Sequence, residues 1–379
     1  MTSRLSPSRR SFLQVTAAAA AFQIVTEPML AAAARRPYAK DGVMIDSNEN
    51  PLGPGQAARE AISAIIPQGG RYLLNLTEDL IETFAQQEGL NPDYVHVFAG
   101  SSPALRFTVV AFTSPHRSYV TADPGYEGGM MAAGASQARV VKVPLNKAYA
   151  HDVKGMIAAA PDAGLFYICN PNNPTGTLTP HADIEFLVEN KPKGSIVMVD
   201  EAYLHFCDAP STIDLVKAGK DVVVLRTFSK TYGMTGWRAG YAVAKEPFMT
   251  ALKKIVLYST NGVTTFVQNA MIEALKTPEA EIARLREEYR KRRDLIVAGL
   301  NEVGLTCEPP AGAFYAFPNV EKVSKNSREA AQILLERAHI ATIPGSVFGA
   351  QGEGHLRFGY AVTVDEIEAC VGALKEFFG

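Results

Sequence analysis

Cysteine is scarce in this chain, and the four residues present lie far apart. Cys169, Cys207, Cys307 and Cys370 form no CxxC pair. A dithiol redox centre and a zinc ribbon are therefore excluded, and no metal site is expected. Charge of one sign is also lacking, since 37 basic residues face 39 acidic ones and the net charge is -2. That balance gives no footing for a nucleic-acid partner or an acidic tail. Long apolar runs are missing beyond the N-terminal segment, so no stable membrane anchor is expected. No G-x-G-x-x-G run follows a strand-like segment, which speaks against a nicotinamide enzyme.

The N-terminal segment has an order of its own. Residues 8–14 read SRRSFLQ, an alanine-rich uncharged stretch follows over 15–25, and small residues fill Ala31 to Ala34. A basic start, an apolar middle and an Ala-x-Ala end describe an export signal. The adjacent arginines before Phe12 and Leu13 resemble a twin-arginine signal. Residues 1–34 are thus expected to be a leader, with a mature chain starting near Arg35 and a periplasmic or otherwise exported location. A cytoplasmic location is the alternative.

Beyond it, short apolar runs alternate with helical spacing. Strands are expected over 95–98, 118–122, 138–143, 165–169, 196–199, 222–227 and 240–243. Several are continuously apolar, as strands buried on both faces of an α/β sheet are. Helices between them imply a mostly parallel sheet with right-handed crossovers. Long helices are expected over 247–275 and 279–303. After them come a mixed segment at 307–317, a helix near 328–338, a strand at 355–359 and a last helix at 364–378. The expected division is an arm and part of a small domain over 35–75, a large α/β domain over 76–270 and a smaller α+β domain over 271–379.

Chemistry is written where strands end. The segment TFSKTYGMTGWR at 227–238 follows a strand and carries Lys230 among hydroxyls and glycines. A lysine there fits a solvated loop, but partial burial would also lower its pKa and free its amine as a nucleophile. Asp200 ends the strand in MVDEAY at 198–203, at the carboxyl edge where α/β sheets place ligands. It is either a helix cap or a buried carboxylate in need of a cation. Tyr203 is three residues on. The run NPNNPTG at 170–176 makes a rigid turn whose amides point donors outward. In GSSP at 100–103, Ser102 is expected to cap a helix that starts at Pro103, leaving free N–H groups from Gly100 to Ser102 as a phosphate cradle. Tyr126 in DPGY offers a ring for stacking. Arg357 stands inside the apolar strand LRFG at 356–359 and needs either an internal salt bridge or an external carboxylate.

These residues, with SNENPLGP at 47–54, Arg71 and Tyr72, resemble the fold-type I pyridoxal-phosphate aminotransferases of class I/II, and within them the histidinol-phosphate aminotransferase-like branch. The likeness runs through essentially the whole chain after the leader. It implies an α/β fold with a large, mostly parallel mixed sheet flanked by helices, plus a smaller α+β domain. It implies pyridoxal 5'-phosphate as cofactor, carried covalently by Lys230. Asp200 would hold the ring nitrogen, Asn173 and Tyr203 the ring's phenolic oxygen, and Tyr126 the ring face. Gly100, Ser101, Ser102, Thr227 and Arg238 would hold the phosphate. Tyr72 would reach the phosphate in a neighbouring subunit, which implies a homodimer with shared sites. Arg357, with Asn50, would bind substrate. The implied reaction is ping-pong transfer of an amino group between an amino acid or related amine and a keto acid. The alternatives on the same fold are a C–S or β-lyase, a racemase, or histidinol-phosphate transamination in particular. Two departures stand out: Leu73 and Leu74 follow Tyr72 where the family has Pro-Asp, and Ser102 and Pro103 replace an acidic pair in the phosphate loop.

Overall fold

The computed structural model describes residues 42–259 and 262–379, so the expected leader at 1–34 lies outside the described residues. In chain order the elements are β1 (Val43–Met44), α1 (Gln56–Ile65), α2 (Asn75–Glu88), β2 (Val95–Phe98), α3 (Ser101–Phe112), β3 (Ser118–Asp123), α4 (Met130–Ala135), β4 (Val140–Pro144), α5 (Val153–Ala159), β5 (Ala163–Cys169) and α6 (His181–Asn190). There follow β6 (Ile196–Asp200), α7 (Ile213–Lys217), β7 (Val222–Thr227), β8 (Gly240–Ala244), α8 (Phe248–Ser259), α9 (Thr265–Leu275) and α10 (Glu279–Glu302). The last are β9 (Tyr315–Ala316), α11 (Ser327–Ala338), β10 (Ile340–Ala341), β11 (Ile343–Pro344), β12 (Leu356–Gly359) and α12 (Val364–Phe378).

A seven-stranded sheet runs β2-β8-β7-β6-β5-β3-β4. From β7 to β4 every pairing is parallel, and β8 is antiparallel to both its neighbours. The continuous apolar runs have the expected cause. Along β6, Ile196 and Met198 join one core while Val197 and Val199 join the other. Leu165 and Tyr167 divide from Phe166 and Ile168 in the same way along β5. Successive side chains of a strand point to opposite faces, so both faces must be apolar when helices cover both. Truncating a fully buried residue such as Leu225 to alanine should cost about 2–5 kcal/mol.

The chain after α9 builds a second, three-stranded antiparallel sheet, β11-β12-β9, with α10, α11 and α12 beside it. The short strand β1 pairs in parallel with β10, so the segment just after residue 42 belongs with this C-terminal part. One expectation is corrected. The helix read as continuous over 247–275 is two helices, α8 and α9, and Gly262 before α9 takes φ of 100°, a left-handed conformation suited to glycine.

Candidate active site

The register of the large sheet explains why its loops meet. Cys169 lies opposite Asp200, Asp200 opposite Leu225, and Thr227 opposite Gly240. Gly240 also faces Phe98 of β2, which runs in the same direction as β7. The loops after β2, β5, β6 and β7 therefore leave from one edge. One cavity at this edge is lined by Ser101, Ser102, Tyr126, Asp200, Tyr203, Thr227, Lys230 and Arg238, together with Asn48.

At one end the cavity is built for an anion. Helix α3 starts at Ser101, with Gly100 at the cap and no side chain capping it. This corrects the expected start at Pro103 with Ser102 as cap, and it leaves the first N–H groups of the helix available to a ligand. Gly100 takes φ of 86°. A Cβ there would come within 2.4 Å of Arg238 Nη2, so the guanidinium lies directly against this loop. Arg238 itself has φ of 57°, and its Nη1 donates to the Thr235 carbonyl at 2.9 Å. Thr227 Oγ1 is 2.8 Å from Ser229 Oγ and accepts from the Ser229 N–H at 3.1 Å.

Asp200 forms another wall of the cavity. It is buried and accepts from Tyr167 Oη at 3.0 Å and from the Ala202 N–H at 3.2 Å. Both partners are neutral, and burial pushes its carboxyl up to about 6. A cationic ring nitrogen would supply the missing countercharge. Behind it, Glu201 turns away to a separate buried cluster, where Arg226 Nε lies 3.0 Å from its carboxylate and Arg226 Nη1 lies 3.2 Å from Glu88.

Lys230 is 9% exposed, and its Nζ donates to the Asn48 carbonyl at 2.5 Å. Burial, followed by the nearby charges of Arg357 and Arg238, lowers its pKa to about 7. Half of such amines are neutral at neutral pH, where an ordinary lysine is almost wholly charged. Asn50 fixes the backbone beneath it by donating to the Lys230 carbonyl at 2.9 Å.

Arg357 and Asn173 meet beside this cavity. Arg357 Nη1 donates to Asn173 Oδ1 at 2.9 Å and Nη2 to the Asp46 carbonyl at 2.9 Å, while Nε has no hydrogen-bond partner among the described residues. The guanidinium lies 4.5 Å from the Tyr315 ring centre and 5.1 Å from that of Phe348. Its hydrogen-bond acceptors are neutral, and Glu127 is a nearby carboxylate whose charge it favours.

Two expected residues lie elsewhere. Tyr72 is 86% exposed and is not part of this cavity. Asn50 spends its amide on backbone carbonyls and lines a roomier cleft with Thr231, Tyr232, Arg59 and Arg292. That cleft lacks the lowered lysine, so size does not mark the chemistry. Sequence reading missed Tyr167, Tyr315 and the specific use of Asn48. Tyr167 and Tyr315 sit in apolar runs and look like core; Asn48 lay inside a motif already singled out.

The residues present fit a flat ring bearing an aldehyde, a phosphate arm and a basic nitrogen, which describes pyridoxal phosphate. The profile of the aminotransferase class I and II family matches residues 40–374. A histidinol-phosphate aminotransferase of Moorella thermoacetica is 32% identical over 321 residues, covering 82% of this chain and 79% of the relative. An LL-diaminopimelate aminotransferase of Nitratidesulfovibrio vulgaris is 31% identical, with 80% and 81% covered. The solved aromatic aminotransferase of Pyrococcus horikoshii superposes with a TM-score of 0.81 at 28% identity, over 89% of this chain and 96% of that one. The fold and the matches define a pyridoxal-phosphate-dependent transaminase of fold type I. The chain belongs to the class I and II aminotransferase family, and it moves an amino group between an amino compound and a keto acid.

Proposed function

We propose that the substrate is an amino acid with a free carboxylate, gripped by Arg357, and that Lys230 carries the cofactor and moves the proton. The observation that carries this reading is a buried amine, lowered to about 7, in one cavity with Asp200 and the open start of α3. The bound cofactor supplies an electron sink for the substrate's Cα. With the cofactor bound, the Lys230 amine would be placed to take a proton from the substrate Cα and to hold it for return to the cofactor side. Asp200 keeps the ring nitrogen protonated. Tyr203 and Asn173 donate to the phenolic oxygen. Asn173 is oriented for this, because Arg357 occupies its Oδ1 and leaves Nδ2 to donate. Tyr126 covers the ring, and Gly100, Ser101, Ser102, Thr227 and Arg238 take the phosphate. A donor screen with several keto-acid acceptors tests the substrate class. Beyond one equivalent per site, keto-acid product should appear only when an acceptor is present; catalytic release of pyruvate and ammonia without one would contradict it.

A homodimer with shared sites belongs to the same reading. Tyr72, Leu74, Leu52 and Ile66 are 86%, 73%, 62% and 60% exposed, an apolar set that a second copy would cover. Tyr72 would then reach the partner's phosphate. In mixed dimers of the Lys230→Ala and Tyr72→Phe proteins, the site that keeps Lys230 should regain wild-type cofactor affinity if sites are shared. Export through the twin-arginine route is supported by residues 8–34. Cell fractionation should find a mature chain starting near Arg35 outside the cytoplasm, and an intact Met1 there would contradict it.

A further inference from the structure

The phenol of Tyr203 is held by two donors. Asn48 Nδ2 lies 3.0 Å from its oxygen and Tyr315 Oη lies 2.8 Å from it, each donating. An amide NH2 has no other role open to it. Tyr315 has little room to leave. It is fully buried in β9, opposite Gly359 of β12, with the Phe314 ring 4.9 Å and the Arg357 guanidinium 4.5 Å from its ring centre. With both lone pairs of the Tyr203 oxygen occupied, its own proton must point away from both donors. Tyr203 lines the Lys230 cavity, so that proton is free to be donated there.

We propose that Tyr315 is a positioning residue that acts through Tyr203: together with Asn48 it pins the Tyr203 proton so that it is donated to the phenolic oxygen of the cofactor. The inference rests on the assignment of Lys230 above. Its consequence is electronic. A proton delivered by Tyr203 disperses charge on the phenolic oxygen, and the Lys230 nitrogen beside it then loses its own proton at lower pH. Each donor to Tyr203 polarises its O–H and strengthens what Tyr203 gives onward.

The test uses the cofactor-loaded enzyme and records its visible absorbance against pH for the wild type, Tyr315→Phe, Tyr203→Phe and the double variant. Phenylalanine keeps a ring beneath Arg357, so the packing is retained. Tyr315→Phe should raise the pH midpoint of the visible band by roughly half a unit to one unit. Tyr203→Phe should raise it further, and the double variant should match Tyr203→Phe alone. Asn48→Ala gives an independent arm on a less buried residue and should raise the midpoint in the same direction. An unchanged midpoint in Tyr315→Phe overturns the proposal. A lowered one overturns it too, because Tyr203 would then have been donating to Tyr315. Full additivity in the double variant would place the effect outside Tyr203 and would overturn it as well. A wild-type protein with no pH-dependent visible band at all would instead overturn the Lys230 assignment.

Discussion

At one edge of the seven-stranded sheet, four loops line a cavity with a helix start, Asp200, Lys230 and Arg238, whereas the three-stranded sheet brings two side chains beside it, Tyr315 and Arg357. The first region is fixed by register: Phe98, Gly240 and Thr227 are paired across three strands, so the loops after β2 and β7 cannot separate. The second meets the site through Arg357, bonded to Asn173, and through Tyr315, bonded to Tyr203. A site divided this way would keep cofactor binding on the large sheet and assign substrate grip and tuning to side chains of the small one.

That division predicts different losses from each side. The largest belongs to Lys230 on the large-sheet side. Lys230→Ala should reduce turnover by on the order of 10^3-fold or more and remove the visible cofactor band, as steady-state kinetics and absorbance would show. Turnover at the wild-type rate would contradict the division at its root. Next is Arg357. Arg357→Ala should raise KM for carboxylate-bearing donors by about 100-fold and spare amines that lack a carboxylate, while cofactor affinity falls far less, through the loosened Asn173. Equal losses of cofactor and substrate binding would show that the two regions are not separate in role.

A third prediction concerns pH. The Lys230 pKa is lowered to about 7, so its amine is neutral and nucleophilic above that value and protonated below it. Loading of the cofactor-free protein should therefore speed up as pH rises through about 7. Two units below the midpoint it should be roughly 100-fold slower. Stopped-flow absorbance would check this, and a rate that keeps climbing about tenfold per unit past pH 8, with no levelling above about 7, would show that the amine is not lowered. The smallest effect belongs to Tyr72, which in the proposed dimer would reach the phosphate only from a second copy. Tyr72→Phe should weaken cofactor binding by about 1 kcal/mol, measured by equilibrium titration.

The large-sheet half of the site was legible because its residues break a local pattern. Asp200 closes a run of apolar residues, Lys230 lies just beyond a strand, and Gly100 stands between a strand and a helix, although the expected Ser102 cap is absent. Each is polar where periodicity calls for apolar, or flexible where it calls for regular structure. Arg357 was legible for the same reason. Tyr315 was not, because a tyrosine in an apolar run is indistinguishable from core until its hydroxyl is seen 2.8 Å from another. Asn50 misled in the opposite way: a polar residue in a motif rich in turn formers looked like a ligand contact, yet it holds the backbone carbonyl of Lys230. The break between α8 and α9 was hidden by apolar spacing that continues on either side of it. Strand ends elsewhere matched within a few residues, since β-branched runs buried on both faces leave little freedom of register.

Every role assigned above depends on Lys230 being the amine that takes the cofactor. The direct measurement is to incubate the protein with pyridoxal phosphate, reduce it with borohydride, digest it and locate the added mass. A single stoichiometric label on Lys230 is expected, lost in Lys230→Ala without a label appearing elsewhere. A label on another lysine, or none at saturating cofactor, would contradict it.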